Sequence, residues 1–163
     1  MRLIVVSGLS GSGKSVALNM LEDLGWFCID NIPAALLEAL VAHTLRQDDP
    51  LYRSLGVGLD ARNRPGDLEA IPALLADLRR SGLRCDMIYL QAADETLLRR
   101  YAETRRRHPL AAQDRSLGDA IASERALLQP LADSADLVVD TSAMSVHGLR
   151  ELVRQRVEER RQG

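Results

Sequence analysis

The sequence predicts an α/β fold in which five parallel strands form one doubly wound sheet with helices on both faces. Two patterns predict it. Short apolar runs rich in β-branched residues alternate with longer segments of helical periodicity along the 163 residues. The first strand also runs directly into a glycine-rich loop that opens a helix. In a sheet of this kind, ligands bind at the carboxyl ends of the strands.

Five runs predict the strands. Each is short, mostly apolar and bounded by glycine, proline or polar residues, which is typical of strands buried on both faces. Parallel neighbours need a crossover connection, so a helix is expected between successive strands. The predicted strands are Arg2–Ser7, Trp26–Asp30, Leu55–Asp60, Asp86–Gln91 and Ala135–Asp140.

Helical periodicity fills the gaps between these strands. Capping residues or prolines mark where the helices begin, and glycines or prolines mark where they end. The first predicted helix is Ser15–Leu24, which Gly25 ends, and the second is capped by Asn31, with Pro33 in its first turn and an apolar stripe to Leu45. The third is Asp67–Arg80, with Pro72 inside it, and the fourth runs from Asp94 into Arg105–Arg107 and stops before Pro109. The last two run from Ser116 to near Pro130 and from Ser145 through Val157.

Length and composition indicate one globular domain over residues 1–163. Apolar residues make up 46% of the chain and charged residues 27%, which argues against disorder and fibrous folds. Two cysteines are too few for a secreted disulfide scaffold, so a cytoplasmic location is expected. No apolar run approaches the ~20 residues that a membrane span requires. The net charge of −2 argues against non-specific coating of nucleic acid.

The glycine-rich loop matches the phosphate-binding pattern G-x-x-x-x-G-K-[ST] in full over Gly8–Ser15. Glycines allow backbone N–H groups to converge on phosphate oxygens, and the following helix adds its positive N-terminal dipole. Lys14 is the only lysine beside 20 arginines, so this position needs a compact ammonium. The pattern predicts a kinase-like P-loop NTPase fold in which Lys14 contacts the β- and γ-phosphates and the Ser15 hydroxyl ligates Mg²⁺.

A carboxylate that holds the water molecules of the metal is expected at the end of a strand. Asp30, Asp60 and Asp140 each end a predicted strand. In kinase-like arrangements the third strand lies beside the first, which favours Asp60 as the catalytic and metal-site carboxylate. Asp30 stays an open candidate beside a substrate or switch loop, and Asp140 is the weakest of the three.

Arginines crowd the segment that follows the fourth strand. Such a segment contributes a mobile arginine lid in many small kinases, and we select Arg105 as a catalytic candidate there. A solvated charged helix face or contacts to RNA phosphates would give the same pattern. The three histidines have no metal-ligand spacing. The arginines are Arg99, Arg100 and Arg105–Arg107, and the histidines are His43, His108 and His147.

Nearly the whole chain resembles the N-terminal half of the RapZ/YvcJ family. The similarity includes the Gly8–Ser15 loop, CIDNIP, LDARN, RRYAETRRRHPL and ADLVVDTSAMSVHGL, of which the ETRRRHPL and DTSAMSVH segments are the most specific. The resemblance implies that the protein binds ATP or GTP with Mg²⁺ and hydrolyses them weakly. It places nucleotide contacts at Gly8, Leu9, Ser10, Gly11, Ser12, Gly13, Lys14 and Ser15 and a guanine-nucleotide segment at Asp60, Ala61, Arg62 and Asn63.

The resemblance also implies partners. Enterobacterial members are adapters that direct a small regulatory RNA to an endoribonuclease and so control amino-sugar synthesis, and full-length members are expected to be homo-oligomers. The RNA function is associated with a C-terminal domain that these 163 residues lack. Gln91 stands where relatives commonly carry aspartate, so weak hydrolysis is expected.

Three functions fit these observations. The first is a regulatory ATP- or GTP-binding module that hydrolyses slowly and acts through partners. The second is a small-molecule kinase that transfers the γ-phosphate of ATP, with Asp30 as its base. The third is an RNA adapter in which the loop is only structural. The resemblance favours the first.

Overall fold

The computed structural model describes residues 1–104, 108–110 and 116–162. Five strands agree with the predicted ones to within two residues at every end. The strands are β1 (Arg2–Gly8), β2 (Phe27–Ile29), β3 (Ser54–Leu59), β4 (Arg84–Gln91) and β5 (Leu137–Asp140).

Seven α-helices lie in the described part of the chain, together with 3₁₀ turns at Ala34–Leu36 and Pro50–Tyr52. Each connection between successive strands contains at least one of these helices, as parallel pairing requires. The helices are α1 (Lys14–Asp23), α2 (Leu37–Gln47), α3 (Pro65–Glu69), α4 (Ile71–Arg80), α5 (Asp94–Thr104), α6 (Leu117–Ser134) and α7 (Val146–Gln162).

Two predicted helix boundaries were wrong, and both involve prolines. The helix expected over Asp67–Arg80 is two helices, because Pro65 and Pro72 each occupy the first turn of a new one. The helix expected to end near Pro130 continues through it to Ser134. Leu128 and Leu131, on either side of this proline, are fully buried. Their packing outweighs the penalty of about 3 kcal/mol for proline inside a helix.

The predicted cap at Asn31 was also wrong. Asn31 has left-handed backbone geometry, with φ of 56°, and lies before the helix rather than at its first turn. The chain enters a 3₁₀ turn at Ala34 instead. The Asn63 side chain accepts the N–H of Ala34 at 2.7 Å, so a residue that follows β3 supplies the missing acceptor. This bond ties the connection after β2 to the end of β3.

The sheet has the order β2-β3-β1-β4-β5, and all four pairings are parallel. The central strand β1 pairs with β3 on one side and with β4 on the other. The doubly wound, kinase-like fold is therefore confirmed, including the expectation that the third strand lies beside the first. Because all five strands point the same way, the ends of β1 and β3 bring Gly8 and Asp60 to the same edge of the sheet.

Apolar cores lie on both faces of this sheet. On one face, side chains of α1 and α7 pack on β1 and β4, with Trp26 beside them. On the other face, side chains of α2, α3, α4 and α6 pack on β1, β3 and β4. Cys28 and Cys85 are both free thiols. Within the described residues, no helix combines the length and apolar character needed to cross a bilayer.

Candidate functional site

A cavity of about 850 Å³ opens at the carboxyl edge of the sheet. Residues 9–16 of the phosphate-loop sequence form its floor. Asp30, Asp60 and Arg62 line one side, where β2 and β3 end. Arg100 on α5 and residues 144–146 before and at the start of α7 also line the cavity. This is the edge at which the sequence places the ligand.

Glycine is required in the loop for steric reasons. Gly13 has φ of 111°, and a Cβ atom built on it would lie 2.5 Å from Cδ2 of Leu149 on α7. Within the described residues, no protein acceptor binds the N–H groups of Gly11, Gly13, Lys14 and Ser15. These donors, together with the N-terminus of α1, form the kind of cradle that binds anions.

Three consecutive loop residues are held by three different elements. The N–H and hydroxyl of Ser10 donate to Glu124 on α6, at 2.8 and 2.6 Å. The carbonyl of Gly11 accepts from Arg100 on α5 at 2.8 Å. The carbonyl of Ser12 accepts from the Thr141 hydroxyl after β5 at 2.6 Å. The loop shape therefore depends on α5, α6 and β5 as well as on its own sequence.

Lys14 lies between two carboxylates. Its Nζ is 3.8 Å from Oδ1 of Asp30 and 3.8 Å from Oδ2 of Asp60. The Lys14 side chain is 14% exposed, so its charge is partly shielded from water. Such pairing holds the ammonium at the mouth of the loop, where a phosphate would meet it.

Asp60 is buried and receives three hydrogen bonds from Arg62. The N–H of Arg62 donates to Oδ1 at 3.0 Å, and its guanidinium donates to Oδ2 at 2.9 and 2.6 Å. Burial alone would raise the pKa of Asp60, but these bonds and the charge of Lys14 outweigh it and hold the pKa below its ordinary value. Asp60 is therefore a carboxylate at neutral pH, as a role in binding the water shell of a metal requires.

Some of the other predicted site residues line the cavity and some do not. Asp30 lies in the cavity, whereas Asp140 is exposed and accepts the N–H of Ser142 at 2.9 Å. Ala61 is buried behind the cavity. Asn63 uses its side chain on the backbone of Ala34 and Asp60. Of the segment Asp60–Asn63, the structure thus brings Asp60 and Arg62 to the cavity.

The arginine segment is only partly described. Arg105–Arg107, including the catalytic candidate Arg105, lie outside the described residues. Arg99 is exposed, and Arg100 donates to Gly11 as well as to the Thr141 carbonyl at 2.6 Å. Arg100 therefore joins the phosphate loop to the segment after β5, which the sequence did not indicate.

Sequence reasoning missed Glu124, His108 and Thr141. All three are buried and polar. His108 and Thr141 fall in the segments ETRRRHPL and DTSAMSVH, whereas Glu124 belongs to no motif. One signal was available for Glu124. It occupies the apolar stripe of α6, whose other buried positions are Ala120, Ile121, Leu128 and Leu131. A carboxylate in such a stripe indicates a buried partner, because its burial is otherwise costly.

Sequence comparison decides the family. The family profile of the RapZ-like N-terminal domain matches residues 1–161. This chain belongs to that family. A member from Alkalilimnicola ehrlichii, described as a nucleotide-binding protein, is 55% identical over 96% of this chain and 54% of its own length. A nucleotide-binding protein from Halorhodospira halophila is 52% identical over the whole chain and 57% of its own length. The RapZ-like domain thus spans about half the length of these relatives.

Solved structures agree with the RapZ-like domain in fold. The YorR protein of Bacillus subtilis, solved in complex with phosphorylated GDP, has a TM-score of 0.62 at 17% identity and covers 99% of this chain and 98% of its own. A shikimate kinase from Bacteroides thetaiotaomicron has a TM-score of 0.57 at 16% identity and covers 97% of both chains. At these identities the likeness shows the fold alone.

Proposed function

We propose that this RapZ-like domain binds ATP or GTP with Mg²⁺ at the Gly8–Ser15 loop and hydrolyses the nucleotide slowly. The N–H cradle of the loop supports this proposal most directly, since the N–H groups of residues 11 and 13–15 have no acceptor among the described residues. The description of its relatives as nucleotide-binding proteins points the same way. A cavity of about 850 Å³ is large enough for a nucleoside triphosphate.

The residues present fit a magnesium nucleotide. Ser15 is exposed at the first turn of α1, so its hydroxyl is free to ligate Mg²⁺ between phosphate oxygens. Asp60 is charged and lies 3.8 Å from Lys14, which suits a role in orienting the water molecules of the metal. When bound, the ion would neutralise charge on the phosphates. Lys14 would hold the phosphates while Asp60 orients the water shell of the metal.

Isothermal titration calorimetry with non-hydrolysable ATP and GTP analogues tests this function directly. We expect Mg²⁺ to strengthen binding, and a crystal soaked with the same analogue should show phosphates against the N–H groups of Gly11, Gly13, Lys14 and Ser15. Phosphate release without any acceptor should be slow but measurable. Absence of binding for both analogues in folded protein would contradict the proposal.

Replacement of Asp60 separates the contribution of the metal to nucleotide affinity from the contribution of the phosphate contacts. We expect Asp60→Asn to weaken Mg²⁺-dependent binding about tenfold, because hydrogen bonds to charged groups are worth about 1.5–3 kcal/mol. Calorimetry with and without Mg²⁺ measures this, and the loss should vanish when Mg²⁺ is omitted. Asp140→Asn is the matched control, since that strand-end carboxylate lies away from the cavity. If the affinity of Asp60→Asn depended on Mg²⁺ as much as that of the wild type, the carboxylate that orients the water molecules of the metal would be Asp30 instead.

A small-molecule kinase is the second candidate, favoured by the position of Asp30. This carboxylate lines the cavity, is 41% exposed and lies 3.8 Å from Lys14, where it could accept a proton from an acceptor hydroxyl. A screen of ADP formation with and without candidate acceptors separates the two functions. Acceptor-dependent ADP formation that Asp30→Asn abolishes would identify a kinase.

For the whole protein we also propose RNA and ribonuclease partners and a homo-oligomeric state. This chain spans about half the length of its relatives. A contribution of this domain to RNA binding would occur through phosphate contacts. Such binding falls steeply with salt. Filter binding of RNA across salt concentrations, with the domain and with the full-length protein, measures how much each half contributes to RNA binding.

A further inference from the structure

The strongest polar feature outside the known motif is a buried cluster beneath the phosphate loop. Glu124 on α6 is fully buried, and so is the side chain of His108. Oε1 of Glu124 accepts from the Ser10 N–H and lies 3.2 Å from Nε2 of His108. Oε2 accepts from the Ser10 hydroxyl at 2.6 Å. One carboxyl group thus contacts both the loop and the segment that contains His108.

The hydrogen bonds of this cluster all point at the carboxyl group of Glu124. Nδ1 of His108 accepts the N–H of Leu110 at 3.0 Å, so the ring proton is on Nε2 and points at Glu124. Three protons therefore converge on the two oxygens of Glu124. A carboxylate accepts all three as charge-assisted bonds. Glutamine could accept the two N–H groups at its carbonyl oxygen and donate its NH₂ group to the Ser10 hydroxyl, so it would keep the contacts but lose the charge that strengthens them.

The same cluster contacts two segments that line the cavity. Ser10 of the loop and Pro109, next to His108, are both lining residues. The ring of Tyr101, another lining residue, packs against the His108 ring with centroids 5.3 Å apart. Loss of the carboxylate would release Ser10 and the segment 108–110 together.

We infer that Glu124 is a positioning residue for phosphate binding, a role that rests on the proposed function. By holding the N–H and hydroxyl of Ser10, it fixes the first half of the loop in the shape that presents the N–H groups of Gly11 and Gly13. A glycine-rich loop loses much conformational freedom on ordering. A loop ordered in advance by Glu124 binds phosphate without this entropic penalty.

A packing role alone does not account for this residue. The neighbouring positions on the buried face of α6 are alanine, isoleucine and leucine, and burial of a carboxylate among them is costly unless it is fully bonded. Its bonds reach across 114 residues to the loop and 16 residues to His108. Neither bond belongs to a helix or strand, so the fold does not need them for its regular structure.

A double-mutant cycle between Glu124 and Ser10 tests this inference. Calorimetry would measure the Kd of the Mg²⁺ complexes of non-hydrolysable ATP and GTP analogues for wild type, Glu124→Gln, Ser10→Ala and the double variant. Asp133→Asn is the control, since it changes an exposed carboxylate on the same helix. Hydrogen exchange would report the protection of the residue 9–13 amides in each folded variant, at a temperature well below its unfolding midpoint.

We expect Glu124→Gln to weaken binding about tenfold, which corresponds to about 1.4 kcal/mol. The double variant should bind no worse than the weaker single variant, loop amides should exchange faster, and Asp133→Asn should match the wild type. If Glu124→Gln does not fold, Ser10→Ala alone should still weaken binding and speed exchange of the loop amides. Binding within twofold of the wild type in the folded variants, or effects that multiply in the double variant, would overturn the inference. A wild type that binds neither analogue would instead overturn the proposed function.

Discussion

Replacement of Lys14 by alanine should weaken nucleotide binding by about 10- to 150-fold, because a charge-assisted hydrogen bond contributes about 1.5–3 kcal/mol. Its ammonium is the cation placed between Asp30 and Asp60, at 3.8 Å from each. Without it, two carboxylates would face the incoming phosphates and repel them. Calorimetry with a Mg²⁺–nucleotide analogue measures the loss.

Two further variants make the result specific to Lys14. Lys14→Arg keeps the charge but places a planar guanidinium in a loop built around glycines, so it should also impair binding. Arg46→Ala removes an exposed cation from α2 and should leave the affinity unchanged. Wild-type affinity in folded Lys14→Ala would show that the loop does not bind phosphate.

Replacement of Gly8 by alanine should destabilise the fold by roughly 2–6 kcal/mol, the sum of an overpacking cost of about 1–3 kcal/mol and a backbone-strain cost of similar size. Gly8 ends β1 with φ of 152°, and its added Cβ would collide with the carbonyl oxygen of Leu90 on β4. That oxygen accepts the N–H of Leu9 at 3.1 Å and belongs to the backbone of a central strand, so it cannot move aside. Urea unfolding measures the change in free energy.

Other glycines separate the two contributions for Gly8. Gly25 has φ of 89° but no atom within 4 Å of an added Cβ, so Gly25→Ala reports backbone strain alone. Gly66 has neither a positive φ nor a close neighbour, and Gly66→Ala should be neutral or slightly stabilising. A loss in Gly8→Ala no larger than that in Gly25→Ala would show that the contact with Leu90 carries no cost.

Local patterns were sufficient to predict most of the fold. Each strand is a short apolar run with clear ends, and the loop from Gly8 to Ser15 follows β1 directly, so spacing alone located both. The errors arose where tertiary packing overrides a local rule. Burial of Leu128 and Leu131 carries α6 through Pro130, and the amide of Asn63 replaces the cap expected from Asn31. Asn63 lies 29 residues from Ala34, so local sequence does not show that contact.

The candidate site was predictable only in part, for the same reason. The motif identifies Lys14 and Ser15, and the strand order selects Asp60 over Asp140. The groups that support the loop, Arg100, Glu124 and Thr141, are distant from it in sequence. Glu124 was detectable as a charge in an apolar stripe, but its partner Ser10 was not.

The three long-range hydrogen-bonded contacts of the loop also affect when its shape can form during folding. They connect Gly11, Ser10 and Ser12 to side chains 89, 114 and 129 residues further along the chain. Contacts of such long range are slow to form, since the entropy of chain closure opposes each of them. The eight-residue motif is therefore complete early in the chain, whereas its working geometry is a late product of folding that exists only after α5, α6 and β5 have docked.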